Sequence, residues 1–121
     1  MIRLTVLAAV ALSLVVLAGP AGAASHPQLV GVVGQNDAFK ITLSSGGKIA
    51  KTLKAGTYTI KVEDKASIHN FHLKGPGVNK STGVSFTGEQ TWKVKLKKGT
   101  YTYQCDPHAS AGMKGTFKVT G

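Results

Sequence analysis

The chain has 121 residues, one cysteine, four histidines and a formal net charge of +10, which leaves room for one domain and excludes a multidomain enzyme. Fourteen of its fifteen basic residues are lysines scattered along the chain and the only arginine is Arg3, a pattern that argues against nucleic acid as a partner. The charge suits an acidic protein partner and, as a weaker association, an anionic membrane surface.

In chain order, the first element is a leader. Arg3 supplies a short positive region, residues 4–18 form an almost unbroken apolar helix-forming run, and Gly19-Pro20 is followed by Ala21-Gly22-Ala23. This is the layout of a secretory signal peptide cleaved near Ala23. The alternative is an uncleaved anchor, but fifteen residues fall short of the roughly 20 that a spanning helix needs. The expected domains are therefore residues 1–23 as signal peptide and 24–121 as one exported domain, periplasmic or secreted. His26, in the stub Ser25-His26-Pro27, has no structural role in this reading.

Beyond the leader, period-two alternation dominates. Residues 29–33 and 39–43 are two early strands. Tyr58, Ile60 and Val62 alternate with Thr59 and Lys61; Trp92, Val94 and Leu96 alternate with three lysines; Tyr101, Tyr103 and Cys105, then Phe117 and Val119, repeat the pattern. Each run is a strand with one core face and one wet face. Turn signals such as Ser44-Ser45-Gly46-Gly47, Gly75-Pro76-Gly77 and Lys98-Gly99 separate them. Seven or eight such strands predict an all-β fold, an antiparallel Greek-key β-sandwich. Residues 67–73 read as a further strand, with His69, Phe71 and Leu73 facing the core and Asn70 and His72 facing solvent.

The informative stretch is Cys105-Asp106-Pro107-His108-Ala109-Ser110-Ala111-Gly112-Met113, a C-x2-H-x4-M spacing. Outside the cytoplasm structural cysteines come in pairs, so a solitary one is a liability unless its thiolate is occupied. Thiolate, imidazole and thioether are the donor types of a blue-copper site, which needs one more histidine. Strand parity selects His69 rather than His72. Zinc is disfavoured because methionine is a poor ligand for it, and a c-type haem would need a second cysteine.

With these residues in place, the chain resembles the cupredoxins, in particular the plastocyanin, pseudoazurin and amicyanin group. The resemblance covers essentially the whole region after the leader. It rests on His69-Asn70 upstream and on Cys105, His108 and Met113 between the last two strands. It implies one copper ion in a type 1 site, with His69, Cys105 and His108 in a trigonal plane and Met113 as a weak axial donor. It also implies that Asn70 ties the two ligand loops together. Asp106 departs from the family, which often has a neutral residue beside the thiolate, and is expected to point outward.

Four protein donors leave no open position for substrate, so the expectation is a mobile one-electron carrier and not an enzyme. The alternative is a copper protein that binds, buffers or delivers the metal without redox turnover. His108, in the exposed loop, is the expected electron exit. Ala109, Ala111, Gly112 and the turn Gly75-Pro76-Gly77-Val78 are expected to form an apolar rim around it. The partner is expected to be an acidic redox protein, and the chain itself a monomer.

Overall fold

The computed structural model describes residues 26–121, and the segment read as a signal peptide lies outside them. Ten strands run in the order β1 (Gln28–Val33), β2 (Ile41–Ser45), β3 (Lys48–Ile49), β4 (Thr52–Lys54), β5 (Gly56–Asp64), β6 (His72–Gly75), β7 (Val78–Ser81), β8 (Gly88–Leu96), β9 (Gly99–Gln104) and β10 (Lys114–Thr120). They form two five-stranded sheets, β3-β2-β1-β5-β8 and β4-β10-β9-β6-β7.

The alternation legible in the sequence is the alternation of burial. In β8, Trp92, Val94 and Leu96 are buried while Lys93 and Lys95 are exposed. In β9, Tyr101 and Tyr103 turn inward, and in β10 Phe117 and Val119 do. Facing inner surfaces then close one core, as a β-sandwich requires. An aromatic row runs through it: Tyr101 stacks on Phe117 at 5.2 Å between centroids, and Tyr103 on Phe71 at 5.9 Å. Such pairs contribute roughly 0.5–1.5 kcal/mol each beyond their buried area.

The sandwich differs in two details from its sequence-based outline. The extra strands are the two-residue β3, the three-residue β4 and the four-residue β7, too short or too exposed to show a period. Two pairings are parallel, β1 with β5 and β4 with β10, because the chain passes from one sheet to the other between these strands instead of turning back in a hairpin.

Register defines two ends of the sandwich. Val33 pairs with Asp64, Asp64 with Gly88, His72 with Ser81 and Gln104, and Gln104 with Lys114. The β1–β2 loop and residues 65–71, 82–87 and 105–113 therefore meet at one end. The turn Gly75-Pro76-Gly77-Val78 is at the other. The Tyr101 hydroxyl donates to the Pro76 carbonyl (2.7 Å), and a Cβ on Gly99 would approach the Pro76 ring. That turn cannot rim His108, contrary to the sequence-based expectation: it shares a sheet with the ligand strand but lies at the opposite pole.

Candidate metal centre

Residues 67–71 are not the strand their alternation suggests. The ladder begins at His72, and His69, Asn70 and Phe71 are all buried in succession. A run of three buried residues has no strand parity. His69 faces inward because the 65–71 loop folds over the end of the core, not because odd positions point in.

That loop is held by its backbone. Lys65 N–H donates to the Val33 carbonyl (2.9 Å), and His69 N–H to the Ala66 carbonyl (3.3 Å). Phe71 N–H donates to Thr82 Oγ1 (2.9 Å), and the Thr82 hydroxyl donates to Asp64 Oδ2 (2.9 Å). Asp64 is fully buried. Burial pushes its carboxyl above the usual range, against the pull of the Thr82 and Ala66 hydrogen bonds and the charge of His69.

The second loop leaves β9 at Cys105. Cys105 N–H donates to the Met113 carbonyl (3.0 Å), His108 N–H to the Cys105 carbonyl (3.1 Å) and Met113 N–H to the His108 carbonyl (3.2 Å). Between them, residues Asp106–Ala111 form a 3-10 turn with Pro107 in its first turn, ended by Gly112 at φ 96°. Pro107 has no N–H to donate, and the left-handed region favours glycine. Cys105 and Met113 are buried and His108 is half-buried.

The two loops bring His69, Cys105 and His108 together. The two imidazole Nδ1 atoms are 3.0 Å apart, and the Cys105 Sγ is 3.6 Å from that of His69 and 3.4 Å from that of His108. A point equidistant from the three atoms lies about 2 Å from each, inside the roughly 2.0–2.3 Å range of metal bonds to imidazole and thiolate. Two imidazoles and a thiolate in a trigonal set are the donors of a blue-copper centre. Binding through Nδ1 leaves the His69 ring proton on Nε2, which is buried without a partner. That costs about 1–3 kcal/mol, small beside the ~10–16 kcal/mol released by a structural zinc site of similar donor number. The residues fit one copper ion.

His72 is not brought to this cluster. Its Nδ1 lies 2.9 Å from both Asp106 carboxylate oxygens and its Nε2 lies 2.6 Å from Asn79 Oδ1. Asp106 turns outward, away from the sulfur, as anticipated. Asn70, expected to face solvent on strand parity, is buried and spans the loops. It accepts from Asp106 N–H (2.7 Å) and donates to Asp106 Oδ2 (2.9 Å) and to the Thr82 carbonyl (3.4 Å).

Burial works to raise the Asp106 pKa, but hydrogen bonds from Asn70, Gln104 and His72, with the charge of His72, outweigh it and hold the carboxyl at about 2. Its unfolded value is about 3.9. A depressed folded value means stability that is complete above pH ~4 and is lost as pH falls toward 2. Asp106→Asn in the metal-free protein should therefore flatten the loss of stability across that window. Urea midpoints measured from pH 5 to 2 check this; an unchanged slope would remove Asp106 from the account.

Two site residues escaped the sequence, both from the β1–β2 loop. The Phe39 ring packs edge-on against His69 (5.0 Å) and His108 (4.6 Å) yet is 61% exposed. Gly34, at φ 73°, backs the other side of His69; a Cβ there would sit 2.9 Å from the imidazole Cδ2. Gly34 reads in sequence only as a turn signal, and Phe39 only as the start of a strand. Ile68 and Val84, 49% and 40% exposed, lie on the neighbouring loops of the same end. The apolar surface of the site end is thus built from Phe39, Ile68 and Val84 in place of the Pro76 turn.

Comparison with known proteins agrees with this geometry. Residues 47–120 match the family of copper binding proteins described as the plastocyanin/azurin family. Plastocyanin of Dryopteris crassirhizoma is 35% identical over 100 residues, covering 82% of this chain and 78% of that protein. Among solved structures, reduced rusticyanin superposes with a TM-score of 0.58 at 23% identity, covering 77% of this chain and 78% of that one. Rusticyanin from Thiobacillus ferrooxidans gives 0.55 at 24% identity, covering 77% and 76%. At these identities the rusticyanin likeness shows a shared fold.

Proposed function

This chain belongs to the plastocyanin/azurin family of copper-binding proteins, and from that premise we propose that it is an exported, mobile one-electron carrier and not an enzyme. The observation that carries the proposal is the placement of the three donors. Cys105 and His69 are fully buried, and only His108 reaches the surface. Met113, buried and backbone-bonded to Cys105, is the fourth donor in this reading.

Copper bound there supplies a one-electron Cu(I)/Cu(II) couple. The rest is done by the chain. The first loop is tied to β1 by the Lys65–Val33 backbone bond, the second is closed on itself by the Cys105–Met113 backbone bond where β9 and β10 pair, and Asn70 locks one to the other. Rigid donors that do not rearrange between oxidation states suit electron transfer. Burial of the thiolate excludes water and oxidants. His108 is the exit, because of the three donors brought together it alone is not buried.

A role in copper buffering or delivery is the weaker reading. Delivery needs donors that a receiving protein can reach, and two of these are buried. Met113 is the only methionine besides Met1, so no methionine-rich docking tract exists. Export is supported by the leader-like N-terminus and by the solitary cysteine. The surplus of lysines supports an acidic redox protein as partner.

Phe39 supplies exposed apolar contact beside His108. Phe39→Ala should leave the character of the visible spectrum intact while lowering the electron self-exchange rate at high salt by about fivefold, the equivalent of ~1 kcal/mol of lost apolar contact. NMR line broadening in mixtures of the two oxidation states measures the rate. Equal rates in wild type and variant would remove Phe39 from the contact, and no measurable exchange in the wild type would contradict the carrier reading.

A further inference from the structure

The two sheets end side by side on one flank, where β8 is the last strand of the first and β7 the last of the second. A groove of about 470 Å³ runs between them. It is lined by Lys80 of β7, by Lys93 and Lys95 of β8 and by Lys97 directly after β8, with Val78 and Asn79 completing the wall.

These four lysines have no counter-charge. The ion pairs among the described residues join Lys61 to Glu63 and Glu89, and His72 to Asp106. Of the two remaining carboxylates, Asp64 is buried at the site end and Asp37 lies on the β1–β2 loop. Four ammonium groups thus share one concave surface with nothing to neutralise them, which focuses positive potential there.

The spacing is regular. Lys93 and Lys95 on β8 and Lys97 directly after it are alternate residues of one extended run, so their Cα atoms repeat at about 6.8 Å. An extended polypeptide with carboxylates at alternate positions has the same repeat. A lipid bilayer fits less well: the surface is concave, and none of the exposed large hydrophobic residues Phe39, Ile49, Ile68 and Val84 lies in it to insert among acyl chains.

We propose that the β7–β8 groove is the docking surface for an extended acidic segment of the partner protein. That the partner is a redox protein rests on the carrier reading above; the binding of an acidic segment does not. Docking along the flank leaves His108 and its apolar surround free to make the electron-transfer contact.

The test uses the copper-loaded full domain and a blocked peptide of alternating glutamate and threonine, followed by NMR shift perturbation at low salt. The expected shifts are confined to Asn79, Lys80 and residues 93–97. The triple variant Lys93→Gln/Lys95→Gln/Lys97→Gln should bind about tenfold more weakly, ~1.4 kcal/mol. The variant Lys48→Gln/Lys51→Gln/Lys54→Gln removes the same charge from the opposite flank, on and between β3 and β4, and should stay within about twofold, the range of a screened long-range effect. Equal weakening by both triples would show that net charge alone acts, and would overturn the proposal. So would phosphatidylglycerol vesicles whose binding is lost with the groove triple while peptide binding is not. Because binding is read without electron transfer, a slow self-exchange rate with intact peptide binding would count against the carrier reading and leave the groove standing.

Discussion

Cys105→Ala should give a folded protein with no intense visible absorption on adding Cu(II) and with copper affinity lowered by about a thousandfold. A four-donor site holding ~10–16 kcal/mol loses roughly 3–4 kcal/mol with one donor, and the donor lost is the only anionic one. What remains is two imidazole nitrogens 3.0 Å apart and the Met113 thioether, a set without an anionic donor. The fold should survive because alanine is tolerated at a buried cysteine position, with a cost near that of a small cavity, about 1 kcal/mol. Isothermal titration of metal and thermal unfolding of the metal-free form separate the two effects. A variant that still turned blue would show that the sulfur is not a ligand.

Asn70→Ala should be the most damaging substitution outside the donor set. The side chain makes three hydrogen bonds, two of them to Asp106 on the facing loop. Truncation strands the Asp106 N–H and removes a charge-assisted bond from its carboxylate, together costing about 2–4 kcal/mol. For a domain of this size that lowers Tm by roughly 10–20 °C. Both ligand loops then move independently, so metal affinity should fall with stability although no donor is lost. A Tm within about 2 °C of wild type, under half a kcal/mol on the same scale, would show that the backbone alone fixes the loops.

How far the sequence foretold this differs by level. The core faces of β8, β9 and β10 were legible because one lysine-rich face and one aromatic face alternate without interruption. Cys105 and His108 were legible together because they lie three residues apart in one loop. His69 was selected by strand parity, yet the structure puts it in a loop where Asn70 is buried beside it. Local alternation cannot tell a strand from a loop folded over the core end. Phe39 and Gly34 were not legible as site residues, since their role depends on β1 pairing parallel to β5, which brings the β1–β2 loop to the same end as residues 65–71. The Pro76 turn was misplaced for the same reason: spacing along a chain says which face a residue takes, not which end of the sandwich its loop joins.

The loops, the aromatic cap and the Asn70 clamp have one purpose in this account, which is to hold two imidazoles and one thiolate around a single copper ion. The most direct test is the optical and EPR spectrum of the purified protein loaded with one equivalent of Cu(II). An intense blue thiolate-to-copper absorption with a compressed copper hyperfine splitting, both bleached on one-electron reduction and restored on reoxidation, is the predicted result. A colourless protein, or the wide hyperfine pattern of tetragonal nitrogen- and oxygen-bound copper, would contradict it.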